Sequence, residues 1–253
     1  MRTPPFGPPA RRLAALAVFC DFDGTLSPIV ADPAAARPAV GAVDALVALA
    51  ARCRVVAVVT GRPATFVDGQ FPAAVRIAAS YGLECRVDGL WAQAPEADRW
   101  RPVVGAASAE AASVFSPAEV VEAKGLSLTL HFRRSPNLQA EVEAWAAAAG
   151  ARFGLDVRSA KASVELHPPV EIDKGTLVQR WSDGADTVVY FGDDRGDLAA
   201  FEALARLRLA GLSSTAIAVG GHEMPAELAA HADLVLPGPD AVVAYLVELA
   251  AAN

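Results

Sequence analysis

Cysteine is scarce in this chain: three occur in 253 residues, Cys20, Cys53 and Cys85, and no two form a Cys-x-x-Cys pair. Their odd number and wide spacing exclude a zinc ribbon, a dithiol redox centre and a disulfide scaffold, and fit a cytoplasmic protein with buried thiols. Basic residues are in deficit, with 22 Lys and Arg against 29 Asp and Glu, a formal charge of −7. Such a surface is a poor match for a nucleic-acid backbone, so nucleic acid is not expected as a partner. Apolar runs stay short of the ~18 residues of a membrane span, and no membrane partner is expected either. The 19 Gly and 18 Pro are scattered, with no low-complexity segment and no internal repeat.

What the chain does have is core material. Hydrophobic residues make up 53% and charged ones 20%, which excludes disorder as the overall state. At ~150 residues per domain the length allows one large domain or two smaller ones. Near the start, Arg2, Arg11 and Arg12 precede the apolar run LAALAVF and Cys20, a superficial likeness to a lipoprotein signal. Phe19 stands where a small residue is wanted, and the run continues into DFDGTL, so a buried strand is expected there instead.

Short apolar, β-branched runs alternate with helical patterns. Strands are expected over 16–23 and 54–60, with a helix between them over 40–52, where Val40, Val43, Leu46 and Val47 recur at helical spacing. The same rhythm returns with strands at 187–194 and 216–221, a helix between them and a C-terminal helix ending near Leu249. Continuous apolar runs suit strands buried on both faces, hence a doubly wound α/β core with a parallel sheet. Between the halves the character changes. A helix-like stretch at 106–115, strands Leu126–Phe132 and Ser163–His167 with alternating side chains, and a helix over 137–153 read as an inserted α+β module with a half-exposed sheet. The expected division is a core of residues 1–99 and 169–253 and a cap of residues 100–168.

Chemistry gathers at the ends of the core strands. DFDGTLSP places Asp21 and Asp23 at the end of the first strand, where ligands of open α/β sheets bind. A carboxylate there can attack a phosphoryl centre once a cation offsets the charge repulsion, although an isolated Asp-x-Asp-Gly is also an ordinary turn. VVTGRP sets Thr60, Gly61 and Arg62 after the second strand, a hydroxyl and backbone N–H groups able to hold phosphate oxygens. EIDKG offers Lys174 at a helix start, a cation suited to a nucleophile and a phosphate together. YFGDDRGD supplies Asp193, Asp194 and Asp197, hard oxygen donors that suit Mg²⁺. Taken singly, these three segments also read as a plain turn, a solvated lysine and an acidic surface turn. In the inserted module, His131 and Arg133 share a strand face, as do Lys161, Ser163 and Glu165 with Lys124 nearby, the solvated face of a sheet or a surface for a hydroxyl-rich ligand.

The ordered set DFDGT, VVTGR, DKG and GDDxxD resembles the haloacid dehalogenase-like (HAD) superfamily of phosphotransferases over the whole chain. That resemblance implies an HAD-like fold with a cap. Asp21 would be the nucleophile, Asp23 the general acid and base, and Thr60 and Lys174 the phosphoryl ligands. Mg²⁺ would be held by Asp21, the Asp23 carbonyl and Asp193, with Asp194 or Asp197 orienting its shell. Within the superfamily, YGLE at 81–84 with Glu84, the Glu-x-Lys of VEAKG, His131-x-Arg133 and Lys161-x-Ser163-x-Glu165 are similar to the trehalose-6-phosphate phosphatase family, whose corresponding cap residues hold the sugar. The implied activity is hydrolysis of trehalose 6-phosphate, a small-molecule sugar phosphate. Other sugar or pseudodisaccharide phosphates, a sugar phosphomutase and a non-catalytic sugar-phosphate module remain alternatives, and the oligomeric state stays open. One departure from the family pattern is Gly196 and Leu198 on either side of Asp197, where Thr and Glu are usual.

Overall fold

The computed structural model describes residues 13–30, 32–116, 120–160, 162–220 and 224–252, so Arg2, Arg11, Arg12 and Lys161 lie outside the described residues. The core begins with β1 (Leu16–Cys20), α1 (Ala42–Ala50), β2 (Val55–Val59), α2 (Ala64–Val67), β3 (Arg76–Ala79), β4 (Glu84–Val87) and β5 (Leu90–Gln93). The inserted part runs α3 (Pro95–Val114), β6 (Val121–Ala123), β7 (Leu128–His131), α4 (Gln139–Phe153), β8 (Asp156–Ala160) and β9 (Ser163–His167). The chain then returns to the core through α5 (Lys174–Trp181), β10 (Thr187–Gly192), α6 (Leu198–Leu209), β11 (Ser213–Val219), α7 (Ala226–His231), β12 (Leu234–Leu236) and α8 (Pro239–Ala251).

The core sheet has the order β12-β11-β10-β1-β2-β3-β4-β5. β12 through β3 pair in parallel, and β4 and β5 add an antiparallel edge, so the sheet is mixed where a parallel one was expected. The edge hairpin closes through Asp88 and Gly89, both with positive φ, the two-residue turn that suits strand twist. Every residue of β1 is buried because the sheet is covered on both sides. Leu16, Val18 and Cys20 pack towards α1 and α8, while Ala17 and Phe19 pack towards α5 and α6. The amphipathic pattern assigned to 40–52 is realised from Ala42 onwards, whereas Val40 precedes the helix and is 98% exposed.

Strand order reverses at β1, flanked by β10 and β2 from opposite ends of the sequence. That switch point brings the ends of the three strands that carry DFDGT, VVTGR and GDDRGD together.

The second sheet is antiparallel, in the order β6-β7-β9-β8. Leu128, Leu130, Val164 and Leu166 turn one face towards α3 and α4, burying apolar area that drives this layer together. The opposite face is polar, and it is not half-exposed as expected: Ser163, Glu165 and His167 of β9 are all buried. The core covers them, with the Tyr81 ring edge-on to His167 at 5.3 Å between centroids. The helix expected at 106–115 begins earlier, at Pro95, and carries Pro102 inside it.

Candidate active site

The DFDGT segment is shaped by its own backbone. The Asp21 N–H donates to the Phe191 carbonyl, tying the end of β1 to β10, and the Leu26 and Ser27 N–H groups fold back on the Phe22 carbonyl. Gly24 has φ +80°, and a Cβ there would lie 2.1 Å from an Asp193 carboxylate oxygen. Only glycine lets the two acidic segments approach this closely. The Thr25 hydroxyl donates to Asp193 Oδ1 at 3.4 Å.

Lys174 is the first residue of α5, whose N-terminus is fixed by a reciprocal capping box between Asp173 and Thr176. Its Nζ donates to Asp21 Oδ1 and to Asp197 Oδ1, both at 2.7 Å, and all three side chains are buried. Burial opposes the lysine's charge, yet Asp197 and Asp21 outweigh it and hold the ammonium well above its ordinary range. Asp197 is saturated: Oδ1 also accepts from the Tyr190 hydroxyl at 2.6 Å, and Oδ2 from the backbone N–H groups of Asp193 and Asp194. It organises the loop after β10 instead of facing outward.

The other carboxyls are not satisfied in this way. Burial pushes Asp21 well above the usual carboxylate range, with Lys174 pulling it back and Asp197 and Asp194 adding to the rise. Burial, then the charges of Asp21, Asp197 and Asp194, push Asp193 up to about 10. Carboxylate oxygens of Asp21, Asp193 and Asp197 lie within 4.8 Å of one another. Clustered hard donors with uncompensated negative charge fit a divalent cation. Asp197 already has its partners, whereas Asp21 and Asp193 keep carboxylate oxygens that could face a cation. Asp194 is outside that group, and its Oδ1 accepts from the Gly196 N–H at 2.8 Å, capping the short turn Arg195–Asp197.

Thr60 is buried at the end of β2, its Oγ1 accepting from the Arg62 N–H at 3.0 Å. Gly61 leaves room for the Tyr81 ring, which a Cβ would meet at 2.6 Å. Opposite this floor, the Tyr81 hydroxyl donates to Glu165 Oε2 at 2.8 Å, a direct bond between core and inserted sheet. Glu165 Oε1 accepts from the Ser127 hydroxyl at 2.7 Å and faces Lys124 Nζ at 3.5 Å. His131 Nε2 is 2.8 Å from Glu122 Oε2. Thr129 Oγ1 and His167 Nε2 are buried with no hydrogen-bond partner. His167 Nδ1 must carry its proton, because it faces the Pro168 carbonyl at 2.7 Å, so Nε2 is an acceptor.

A family model described as trehalose-phosphatase matches residues 19–229, spanning every one of these segments. The chain belongs to the trehalose-phosphatase family. It is 39% identical over 200 residues to the trehalose-phosphate phosphatase of Mycobacterium avium (strain 104), covering 74% of this chain and 51% of that protein. The chain thus spans about half the length of the curated relatives it matches. Among solved structures, the trehalose-6-phosphate phosphatase C-terminal domain of C. albicans superposes with a TM-score of 0.77, at 23% identity, covering 94% of this chain and 93% of that one. A sugar phosphatase of HAD subclass IIB superposes at 0.54, at 15% identity, covering 92% and 98%. The fold is that of the HAD superfamily.

Against this trehalose-phosphatase framework, the expected site residues separate into groups. Asp21, Lys174 and Asp193 converge as one cluster, the first two buried and Asp193 half-buried, and Lys124, Ser163 and Glu165 share the polar side of the cap with His131. Three of the expected residues have other partners or places in this structure. Arg62 was expected to bring a backbone N–H to the phosphate oxygens; here that N–H donates to Thr60 Oγ1, and its fork is bonded to Asp23, Nε to Oδ2 at 2.7 Å and Nη2 to Oδ1 at 2.8 Å. Glu84 was expected to meet the sugar, but Oε2 accepts from the Ser80 hydroxyl and the Ala64 N–H while Oε1 faces Arg101 at 3.5 Å, so it fastens loops and joins core to α3. Arg133 was expected on the face of His131, but β7 ends at His131, and Arg133 is an exposed turn residue beyond the strand's alternation. The sequence reading also missed Tyr81, Glu122, Ser127 and Tyr190. YGLE contained the first of these and Glu-x-Lys the second; nothing in the sequence pattern singled out Ser127 or Tyr190.

Proposed function

We propose that this protein is a Mg²⁺-dependent phosphatase that hydrolyses trehalose 6-phosphate to trehalose and phosphate through an aspartyl phosphate on Asp21. One observation carries the reading: the Tyr81–Glu165 bond, which closes a polar, buried cap face over the loops beside the Asp21–Lys174–Asp193 cluster. The names of the curated relatives support the same substrate. Labour is divided along the two sheets, with 1–99 and 169–253 as the phosphoryl-transfer core and 100–168 as the cap, whose first helix reaches back to Pro95. The three free thiols fit a reducing cytoplasm.

Asp21 and Asp193, with the Asp23 carbonyl, would hold Mg²⁺, which offsets charge on the phosphoryl oxygens. Lys174 keeps the nucleophile fixed and brings a positive charge to the phosphoryl group. The Asp21 oxygen forms its bond to phosphorus as the bond to the sugar oxygen breaks, and the Asp23 carboxyl gives that oxygen its proton. Asp23 then takes a proton from water, whose oxygen attacks phosphorus and releases phosphate, restoring the Asp21 carboxylate. Such proton transfers are worth ~10²–10⁴-fold. Above, Glu165, Lys124, Thr129 and His167 offer donors and acceptors to sugar hydroxyls.

A second reading, another disaccharide or pseudodisaccharide phosphate, is favoured by Gly196. A Cβ at that position would lie 3.0 Å from Asp194 Oδ1 and 3.9 Å from Lys174 Nζ, so the hydroxyl usual in the family is missing beside the catalytic lysine. Phosphate release from a panel of sugar phosphates with Mg²⁺ tests both. Trehalose 6-phosphate is expected to be turned over fastest; faster release from another disaccharide phosphate selects the second reading, and no release from any sugar phosphate refutes both.

A further inference from the structure

We propose that Arg62 is a positioning residue that couples the Asp23 carboxylate to the cap through Glu122. The inference rests on the phosphatase reading, in which Asp23 exchanges the proton with the leaving oxygen. Arg62 has three engagements at once. Its Nε and Nη2 form a two-point fork on Asp23 at 2.7 and 2.8 Å. Its Nη1 faces Glu122 Oε1 at 3.8 Å, and Glu122 belongs to β6 of the cap. Its guanidinium lies over the Phe66 ring, 4.3 Å from the centroid. The side chain is only 11% exposed, against 32% for Asp23, so the arginine stands behind the acid and the acid fronts the open side.

A planar guanidinium with five donors fixes a carboxylate's orientation as a lysine cannot, because both oxygens are held in one plane. Phe66 fixes that plane in turn. On the cap side Glu122 is itself held, by His131 at 2.8 Å and by Lys124 at 4.0 Å. Burial works against the arginine's charge, and Asp23, Glu122 and Asp21 together overcome it. A cap that moves carries Glu122 with it and leaves Arg62 to Asp23 alone. The aim of Asp23 at the leaving oxygen therefore depends on where the cap sits. This contrasts with a phosphate ligand, whose fork would face the phosphoryl group.

The test is the dependence of the phosphorylation step on the leaving group, read from pre-steady-state phenol release over a series of aryl phosphates. Arg62→Gln is expected to slow phenyl phosphate, a poor leaving group, by ~10–100-fold, but p-nitrophenyl phosphate by under ~3-fold. Glu122→Gln is expected to steepen the same dependence by a smaller factor, although a small aryl ester does not reach β6. Arg62→Lys, which keeps the charge without the fork, should fall between wild type and Arg62→Gln. Inhibition by inorganic phosphate should change by less than ~2-fold in all three, since none loses a phosphate ligand. A uniform loss across the series with weakened phosphate inhibition would overturn the proposal, as would a wild-type leaving-group dependence in Glu122→Gln. Should Arg62→Gln fail to fold, the Glu122→Gln series decides alone. None of these readings uses trehalose 6-phosphate, so a failure of the substrate assignment in the panel would be seen separately.

Discussion

The floor and the roof of this site treat acids in opposite ways. In the core, burial and mutual repulsion raise Asp21 and Asp193, and one lysine does not compensate them. In the cap, burial would also raise Glu165 and Glu122, but their partners win. Lys124, Ser127 and Tyr81 bring Glu165 below its ordinary range, and His131, Lys124 and Arg62 do so for Glu122. A buried charge is stable only where it is paired and hydrogen-bonded. The floor is therefore electrostatically suited to added positive charge and a phosphoryl group, while the roof is already balanced and suited to neutral hydroxyls.

The largest expected effect strikes the floor. Asp21→Asn should lower kcat by ~10³-fold or more on sugar and aryl phosphates alike, about 4 kcal/mol of transition-state stabilisation. Its Tm should not fall, because the amide removes a raised, repelled carboxyl. Phosphate release and calorimetry on the same preparation check both halves, and near-native turnover would refute the covalent route.

Next in size is the cation. Exhaustive chelation should silence the enzyme and Mg²⁺ restore it, with a stability gain of ~2.7 kcal/mol at a hundred times Kd. Asp193→Asn should lose most of that gain, while Glu165→Gln should keep it. Denaturation curves with and without Mg²⁺ measure the difference, and an unchanged midpoint in wild type would contradict the metal assignment.

The smallest effect is on pH, where floor and roof should differ in sign. A carboxyl raised by folding favours the folded state below its ordinary value, and that contribution is lost as pH rises towards the folded value. For Asp193 the window runs from the ordinary 3.8 up to about 10. Metal-free protein should therefore lose stability on alkalinisation through this range, and Mg²⁺ should flatten the slope. The depressed Glu165 and Glu122 stabilise above their ordinary value of 4.5 and lose that contribution as pH falls through their folded values. Glu165→Gln should weaken the acid-side loss and leave the alkaline slope alone. Identical profiles for wild type and both Asp193→Asn and Glu165→Gln would remove the contrast.

Much of this arrangement is legible from sequence because it follows local rules. The alternation of buried strands with helices, the acids after β1 and β10, and Lys174 at a capped helix start depend on neighbours in the chain. β3, β4 and β5 escaped because Arg76–Ala79 is a short run of modest apolar character and the Asp88-Gly89 pair, a usual hairpin signal, was not read as one. Partner choice escaped for a different reason. A phosphate loop reading of Thr60-Gly61-Arg62 is sound locally, but Arg62 finds Asp23 and Glu122, which only the packing of cap on core brings to it. Tyr81 was hidden likewise: its left-handed backbone, φ 57°, turns a loop aromatic towards β9 of the cap, 84 residues away in sequence.

The central claim is that the floor does the phosphoryl chemistry and the roof selects the sugar. It is tested most directly by kcat/KM for trehalose 6-phosphate and p-nitrophenyl phosphate in wild type and Glu165→Ala. Loss of a charged acceptor should cost ~1.5–3 kcal/mol, one to two decades, on the sugar substrate and hardly change the aryl ester. Equal losses on both substrates, or no loss on either, would contradict the division.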